Sequence, residues 1–208
     1  MANQRIQASG GEVERLAARV RALIESIVTV SAPPEVLVRA TAGVEQALSA
    51  LAPHLPATRP PRYPKQAAFE TPNDLMPFDP VVGRLNPIAP PIEFRWEDDK
   101  SVGRVRFGTV YEGPPGCVHG GVIAAAFDQV LNLANIARGA PGPTVRLVLH
   151  FRKPTPLDTD LVFEGWQERE EGNRLHTRGR LRYGDTVTVE AEGIFVKVPV
   201  ERVLKMLD

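Results

Sequence analysis

CVHGGVIAAAFD, residues 117–128, is the stretch on which the fold turns. A histidine and two glycines open a run of Val, Ile, Ala, Phe and Leu that continues to Ala137, and the lone carboxylate of Asp128 interrupts it. The spacing predicts a helix over Gly120–Ala137, on which Asp128, Asn132 and Asn135 fall at i, i+4 and i+7 and share one stripe. Such an apolar helix demands burial, most naturally as the central element of a sheet's concave face. Gly120 and Gly121 stand at its N-terminus, where unpaired backbone N–H groups and the positive end of the dipole point outward and no Cβ blocks approach. An oxygen gaining negative charge is stabilised there, as in an oxyanion hole. Each feature alone has a plainer reading: a glycine pair as a turn, an aspartate as a partly solvated helix position, a polar stripe facing water. Their combination is more telling.

Strand-like segments surround the helix. EFRWEDD (93–99) and GRVRFGTVYEG (103–113) precede it; TVRLVLHFRK (144–153), LVFEGWQERE (161–170), RLHTRGRLRYG (174–184) and TVTVEAEGIFVKV (186–198) follow. Turn signals lie at Pro154–Asp158, Glu170–Asn173 and Gly184–Asp185. In the segment after the helix, Val145, Leu147, Leu149 and Phe151 alternate with Thr144, Arg146 and His150, the pattern of a strand with one face on a core. One helix facing a meandering antiparallel sheet is an α+β layer arrangement. VERVLKML (200–207) reads as a short closing helix.

Upstream, Val13, Leu16, Val20, Leu23, Ile24 and Ile27 recur with helical period, and after Pro33–Pro34 the pattern resumes at Val36, Leu37, Val44, Ala47, Leu48 and Leu51. This predicts a helical hairpin over residues 1–52, ended by Pro53. Eleven prolines from Pro53 to Pro91 then keep regular structure from propagating, so 53–90 reads as a linker. It either lies on a surface, anchored by Phe69, Leu75, Met76, Phe78 and Val82, or acts as a mobile tether. Residues 91–208 form the α+β domain.

The 208 residues with 43% hydrophobic content suffice for one core plus an extension. Lys+Arg and Asp+Glu are both 25, so no global charge draws the chain to nucleic acid or anionic membrane. A single cysteine, Cys117, excludes an intramolecular disulfide framework or a cysteine cluster for metal, and a reducing, cytoplasmic setting is the default expectation. No stretch reaches the ~18 uncharged apolar residues of a membrane span, so a soluble protein without membrane insertion is expected. Arg174, His176, Arg178, Arg180 and Arg182 alternate along one strand face and could grip phosphates, but Glu164, Glu168, Glu190 and Glu192 on the flanking strands favour a cross-strand salt ladder. Cys117 lies two residues before His119 without an orienting third group, which favours a structural cysteine. HExxH, GxSxG, P-loop and GxGxxG patterns are missing, leaving metal, serine-hydrolase and nucleotide-fold readings without support.

VHGGVIAAAFD, followed by LHFRKPTPLD and VTVEAEGIFVKV, resembles the hotdog-fold acyl-CoA thioesterases of the phenylacetate and thioesterase-superfamily-member types, over about Pro91–Val198. FDPVVGRLNPIAPP resembles the lead-in of the latter group. The resemblance implies an antiparallel sheet wrapped around a central helix, and hydrolysis of an acyl-CoA, as in fatty acid metabolism, to a free acid and thiol. No cofactor is implied, since coenzyme A belongs to the substrate. The backbone N–H of Gly120 would polarise the thioester carbonyl, Asp128 would act as general base or nucleophile, and Thr144 would hold the water or the carboxylate. His119 would shape the helix entrance by hydrogen bonding. Substrate-binding candidates are Gly121, Asn132, Arg152 and Lys153, the last two for the coenzyme's phosphates.

Geometry constrains this scheme. Eight residues of helix put Gly120 and Asp128 roughly 12 Å apart along the axis, too far for one carbonyl to touch both. Both can act on one thioester only from different subunits with antiparallel helices, which predicts a homodimer with two interfacial sites, possibly paired into a tetramer. Apolar neighbours and a facing helix N-terminus act on Asp128 in opposite senses, and the sequence leaves that balance open. A second reading is a non-catalytic acyl-CoA-binding or partner-recruiting protein with the hairpin as its working surface. Hotdog dehydratases fit less well, because their His and acid are arranged differently.

Overall fold

The computed structural model describes residues 2–57 and 71–198, with side chains from residue 11 onward. Expectations resting on Phe69 and on the closing helix at 200–207 lie outside the described residues. Six strands form one antiparallel sheet: β1 (Glu93–Glu97), β2 (Lys100–Val105), β3 (Thr144–Phe151), β4 (Leu161–Glu171), β5 (Arg174–Tyr183) and β6 (Thr186–Val196), in the order β1-β2-β4-β5-β6-β3. The connection from β2 to β4 leaves the sheet, and into it the chain inserts the long helix over Gly120–Ala137 and the strand β3, which closes the far edge against β6. This is the hotdog arrangement, α+β, with the helix lying against the sheet.

Three helices precede it. α1 (Ala2–Thr29) starts well before the Gly11 at which the apolar period begins, α2 spans Pro34–Leu51, and α3 is the single turn Pro72–Leu75. The central helix is α4 (Gly120–Ala137). By length and apolarity α4 is, among the described residues, the element fit to cross a bilayer, yet Ile123, Phe127, Val130, Leu131 and Leu133 are buried against the sheet. Glycines make that packing close. A Cβ on Gly165 (β4) would stand 2.8 Å from Val130 Cγ1, and one on Gly179 (β5) or Gly193 (β6) would stand 2.9 Å from a Leu131 methyl, so three neighbouring strands drop their side chains where the helix lies. Side chains of the sheet also grip the helix. Trp96 Nε1 donates to the Leu133 carbonyl at 3.0 Å, Ser101 Oγ donates to the Val130 carbonyl, and Thr177 Oγ1 donates to Asn135 Oδ1 at 2.7 Å.

Several expectations change at the edges. The strand expected over 103–113 stops at Val105, and Thr109–Tyr111 forms a 3-10 turn instead. β2 ends where its partner β4 begins, at the pair Val105–Leu161, and α1 docks beside the turn: the Glu25 carboxylate sits 3.1 Å from where a Gly108 Cβ would be, and Arg21 donates to the carbonyls of Asn86 (3.0 Å) and Arg84 (3.3 Å). Among the described residues the two N-terminal helices share no buried seam. α1 buries Ala17 toward the domain, while every residue of α2 is exposed.

The proline-rich segment, from Thr71 onward, is stitched to the domain. Buried Asn73 donates from Nδ2 to the carbonyls of Val82 (2.7 Å) and Ile92 (3.0 Å) and accepts from the Phe94 N–H at 2.8 Å, tying the linker to β1. Asp79 Oδ1 accepts from the N–H groups of Val81 and Val82, and Met76 and Val82 enter the core beside Leu75. Prolines forbid a ladder, so side-chain amides and carboxylates satisfy the backbone in its place.

Candidate active site

α4 begins at a cap supplied by its own histidine. His119 takes extended angles (φ −62°, ψ 130°), and its Nδ1 accepts from the Gly121 N–H at 3.0 Å, which places the ring proton on Nε2. Its backbone N–H donates to the Tyr111 carbonyl at 2.8 Å, and its carbonyl accepts from the N–H groups of Val122 and Ile123. Of the first turn's donors, the Gly120 N–H has no hydrogen-bond partner among the described residues. Gly121, by contrast, is engaged by the cap. The dipole of an 18-residue helix stands behind the unpartnered Gly120 N–H.

Gly120 opens on a cleft of about 510 Å³ lined by Cys117, Val118, Ile123, Phe151, Arg152 and Lys153, among others. Its walls are apolar and its rim basic. Phe151 departs from the alternation of its strand, which predicts a covered face: it is 55% exposed, and its ring lies 3.3 Å from where a Cβ on Gly120 would be. Its position at the end of an apolar strand, immediately before Arg152–Lys153, is the one signal for this role that the sequence carries. Arg152 Nε donates to Glu190 Oε2 at 2.8 Å, whereas no carboxylate pairs with Lys153 among the described residues. Burial pushes the Tyr111 phenol beside this mouth upward, with Arg21 opposing and Glu25 adding to the effect. Cys117 is half-buried and free.

Asp128 lies two turns along α4, outside this cleft. Thr144 Oγ1 donates to its Oδ1 at 2.6 Å, leaving Oδ2 without a hydrogen-bond partner among the described residues. A β-bulge makes that contact. Strict alternation would put Thr144 on the face opposite Leu147, but the register of β3 against β6 shifts between Thr144 and Arg146, so Thr144 pairs with Phe195 and turns to the helix side while Val145 is extruded, 59% exposed. The polar stripe is divided by burial. Asn135 is fully buried on Thr177, Asp128 is half-buried, and half-buried Asn132 accepts from the Gly142 N–H at 3.5 Å. Asn132 therefore stays with Asp128, away from the Gly120 cleft.

The basic row of β5 is neutralised in part by the flanking strands, with Arg174 lacking a carboxylate partner among the described residues. Arg178 meets Glu168 (3.2 Å) and Glu192 (3.6 Å), Arg180 and Arg182 both meet Glu164, and Glu190 turns to Arg152 instead. Among the described residues, no three His, Cys, Asp or Glu side chains gather as ligands of a metal ion.

The chain's likenesses agree with this geometry. A family model described as the thioesterase superfamily matches residues 115–190, from just before the His119 cap into β6. Acyl-coenzyme A thioesterase THEM4 of Bos taurus is 30% identical over 112 residues, covering 52% of this chain and 46% of that protein. Acyl-coenzyme A thioesterase THEM5 of Homo sapiens is 29% identical over 112 residues, covering 53% and 45%. The chain thus spans about half the length of these curated relatives. A crystal structure of a thioesterase superfamily protein superposes with a TM-score of 0.78 at 31% identity, covering 88% of this chain and 94% of the other. Residues 71–198 alone cannot supply that coverage, so the likeness extends into the N-terminal helical region. A relative this similar over nearly its whole length, joined to the family pattern around the capped helix, shows that the chain belongs to the thioesterase superfamily.

Proposed function

We propose that this protein is an acyl-CoA thioesterase that works as a homodimer, each site combining Gly120 of one chain with Asp128 of the other. The observation carrying the reading is the division of labour along α4: an unpartnered Gly120 N–H facing a cleft at one end, and a carboxylate fixed by Thr144 two turns away. Roughly 12 Å of helix separates them, and antiparallel α4 helices about a two-fold axis bring each donor to the other chain's acid.

In the reaction, the thioester carbonyl accepts from Gly120 N–H. Asp128 takes a proton from water as the water oxygen bonds to the carbonyl carbon. Negative charge builds on the carbonyl oxygen and is held by the N–H and the helix dipole. The tetrahedral species then reforms its C=O, the C–S bond breaks, and the departing thiolate recovers the proton from Asp128, giving a carboxylic acid and coenzyme A. Direct attack by the carboxylate, with a mixed anhydride hydrolysed afterwards, uses the same positions. Thr144 keeps one carboxylate oxygen occupied, so that the other faces the substrate. Lys153, free of a carboxylate partner among the described residues, suits a coenzyme phosphate; Arg152 is shared with Glu190. A thioester needs less activation than an amide, so one base and one positioned dipole suffice without a metal or a triad.

Turnover of an acyl-CoA panel by wild type and Asp128→Asn tests the reading. The variant should lose about 10²- to 10⁴-fold in kcat; equal rates would remove the carboxylate from the mechanism.

A further inference from the structure

α2 has no partner within its own chain among the described residues. All of its residues are exposed, and apart from Ile88, Val145 and Phe151 the exposed large apolar side chains of the described residues all lie between Leu16 and Leu55. Its charged residues are only Glu35, Arg39 and Glu45. Leu37, Thr41, Val44, Leu48 and Leu51 follow one another along α2 at alternating steps of four and three. That is the a/d spacing of a helix seam, whose complement is another apolar helix of the same period. With Leu48 62% exposed and Leu51 45% exposed, the seam faces water. A contiguous apolar stripe of this length marks an interaction surface.

We infer that the α2 seam docks on the helical arm of a second copy of this chain. Three observations select that occupant. The seam is nearly uncharged, which suits an apolar helix rather than an acidic or basic partner. The likeness to the solved thioesterase superfamily protein runs into the N-terminal helical region, so the arm belongs to a shared architecture. The third rests on the dimeric reading proposed above: α1 is moored at Gly108 and Tyr111, and the Tyr111 carbonyl holds His119, so the arm leaves the domain beside the α4 mouth where a second copy must approach.

The test uses the full chain with a photo-crosslinking p-benzoylphenylalanine in place of Leu48. Light and heavy-isotope chains are mixed, irradiated, and read by mass spectrometry of crosslinked peptides, with the mass in solution taken by sedimentation. The expected products are mixed-isotope pairs joining position 48 to the arm of another chain. A protein that sediments as a dimer but gives only same-isotope pairs, or none, overturns the inference and leaves the catalytic two-fold standing. A monomer overturns both. As a second arm, Val44→Glu with Leu48→Glu should raise the dissociation constant of self-association at least tenfold while circular dichroism of the sheet is unchanged, and an unchanged constant again overturns it. Capture on neutral lipid vesicles without interchain crosslinks would count against it equally.

Discussion

At the scale of single residues, the proposed site rests on two hydrogen-bonding facts, one bond made and one left open. The Thr144 hydroxyl spends its proton on Asp128 Oδ1 at 2.6 Å, a charge-assisted bond of the stronger kind. Thr144→Val keeps the shape and removes the donor, so kcat should fall about 10- to 100-fold with KM little changed, while Thr144→Ser retains most of the rate. Steady-state kinetics on all three forms checks this. Gly120 is the opposite case, a donor whose proposed role requires it to be unpaired. Proline is tolerated at a first helical position, and His119 already holds the extended angles a following proline requires. Gly120→Pro therefore deletes the N–H with α4 intact, and kcat should drop about 10²- to 10³-fold without loss of helicity by circular dichroism. Gly120 and Asp128 stood out in the sequence because N-terminal glycines and an isolated carboxylate on an apolar helix follow from composition and period, whereas Thr144 was singled out only through the family resemblance. Phe151 did not stand out, since strand alternation cannot tell a face covered by its own chain from one left open.

At the scale of elements, α4 and the sheet explain what sequence periodicity does and does not reveal. Period 3.6 marks both ends of α4, and a strand-like run overlaps every strand of the sheet, yet β2 spans Lys100–Val105 where a strand over 103–113 was expected, and α1, far upstream in sequence, docks beside Gly108. The bulge at Val145 was invisible for a related reason: register depends on the partner strand β6. The glycines beneath α4 carry a prediction. A Cβ on Gly179 would lie 2.7 Å from the Glu164 carbonyl and 2.9 Å from Leu131 Cδ2, neither with room to retreat, so Gly179→Ala should cost about 1–3 kcal/mol in urea unfolding. Glu164 adds a pH dependence. Burial pushes its carboxyl up, but hydrogen bonds and charge from Arg180 and Arg182 outweigh this and hold it below the usual carboxylate range. A folded-state value below the unfolded one means a contribution present above the unfolded value and lost as pH falls through the folded one. Glu164→Gln should thus lower the Tm at neutral pH, and the gap to wild type should close in acid, as thermal melts over a pH series would read.

At the scale of the whole molecule, one chain leaves several things unfinished together: an apolar edge strand, a proposed acid standing apart from the proposed oxyanion donor, and a helical arm with its seam in water. β3 presents Val145 and Phe151 at the sheet's open edge, where unpaired backbone and apolar side chains invite a neighbour. The proposed two-fold partner would answer the first two needs at once, because antiparallel α4 helices would exchange their ends. The sequence could indicate this only through distance, since eight helical residues cannot be folded back onto one carbonyl. The sharpest test uses two inactive chains. Asp128→Asn lacks the acid and Gly120→Pro lacks the donor, so each homodimer has two dead sites. A heterodimer isolated through two different affinity tags holds one site with both defects and one with neither. If the groups act across the interface, that heterodimer recovers about half the wild-type kcat per dimer. If each chain supplied both groups to its own site, every site in the heterodimer would carry a defect and the rate would stay at the level of the parents.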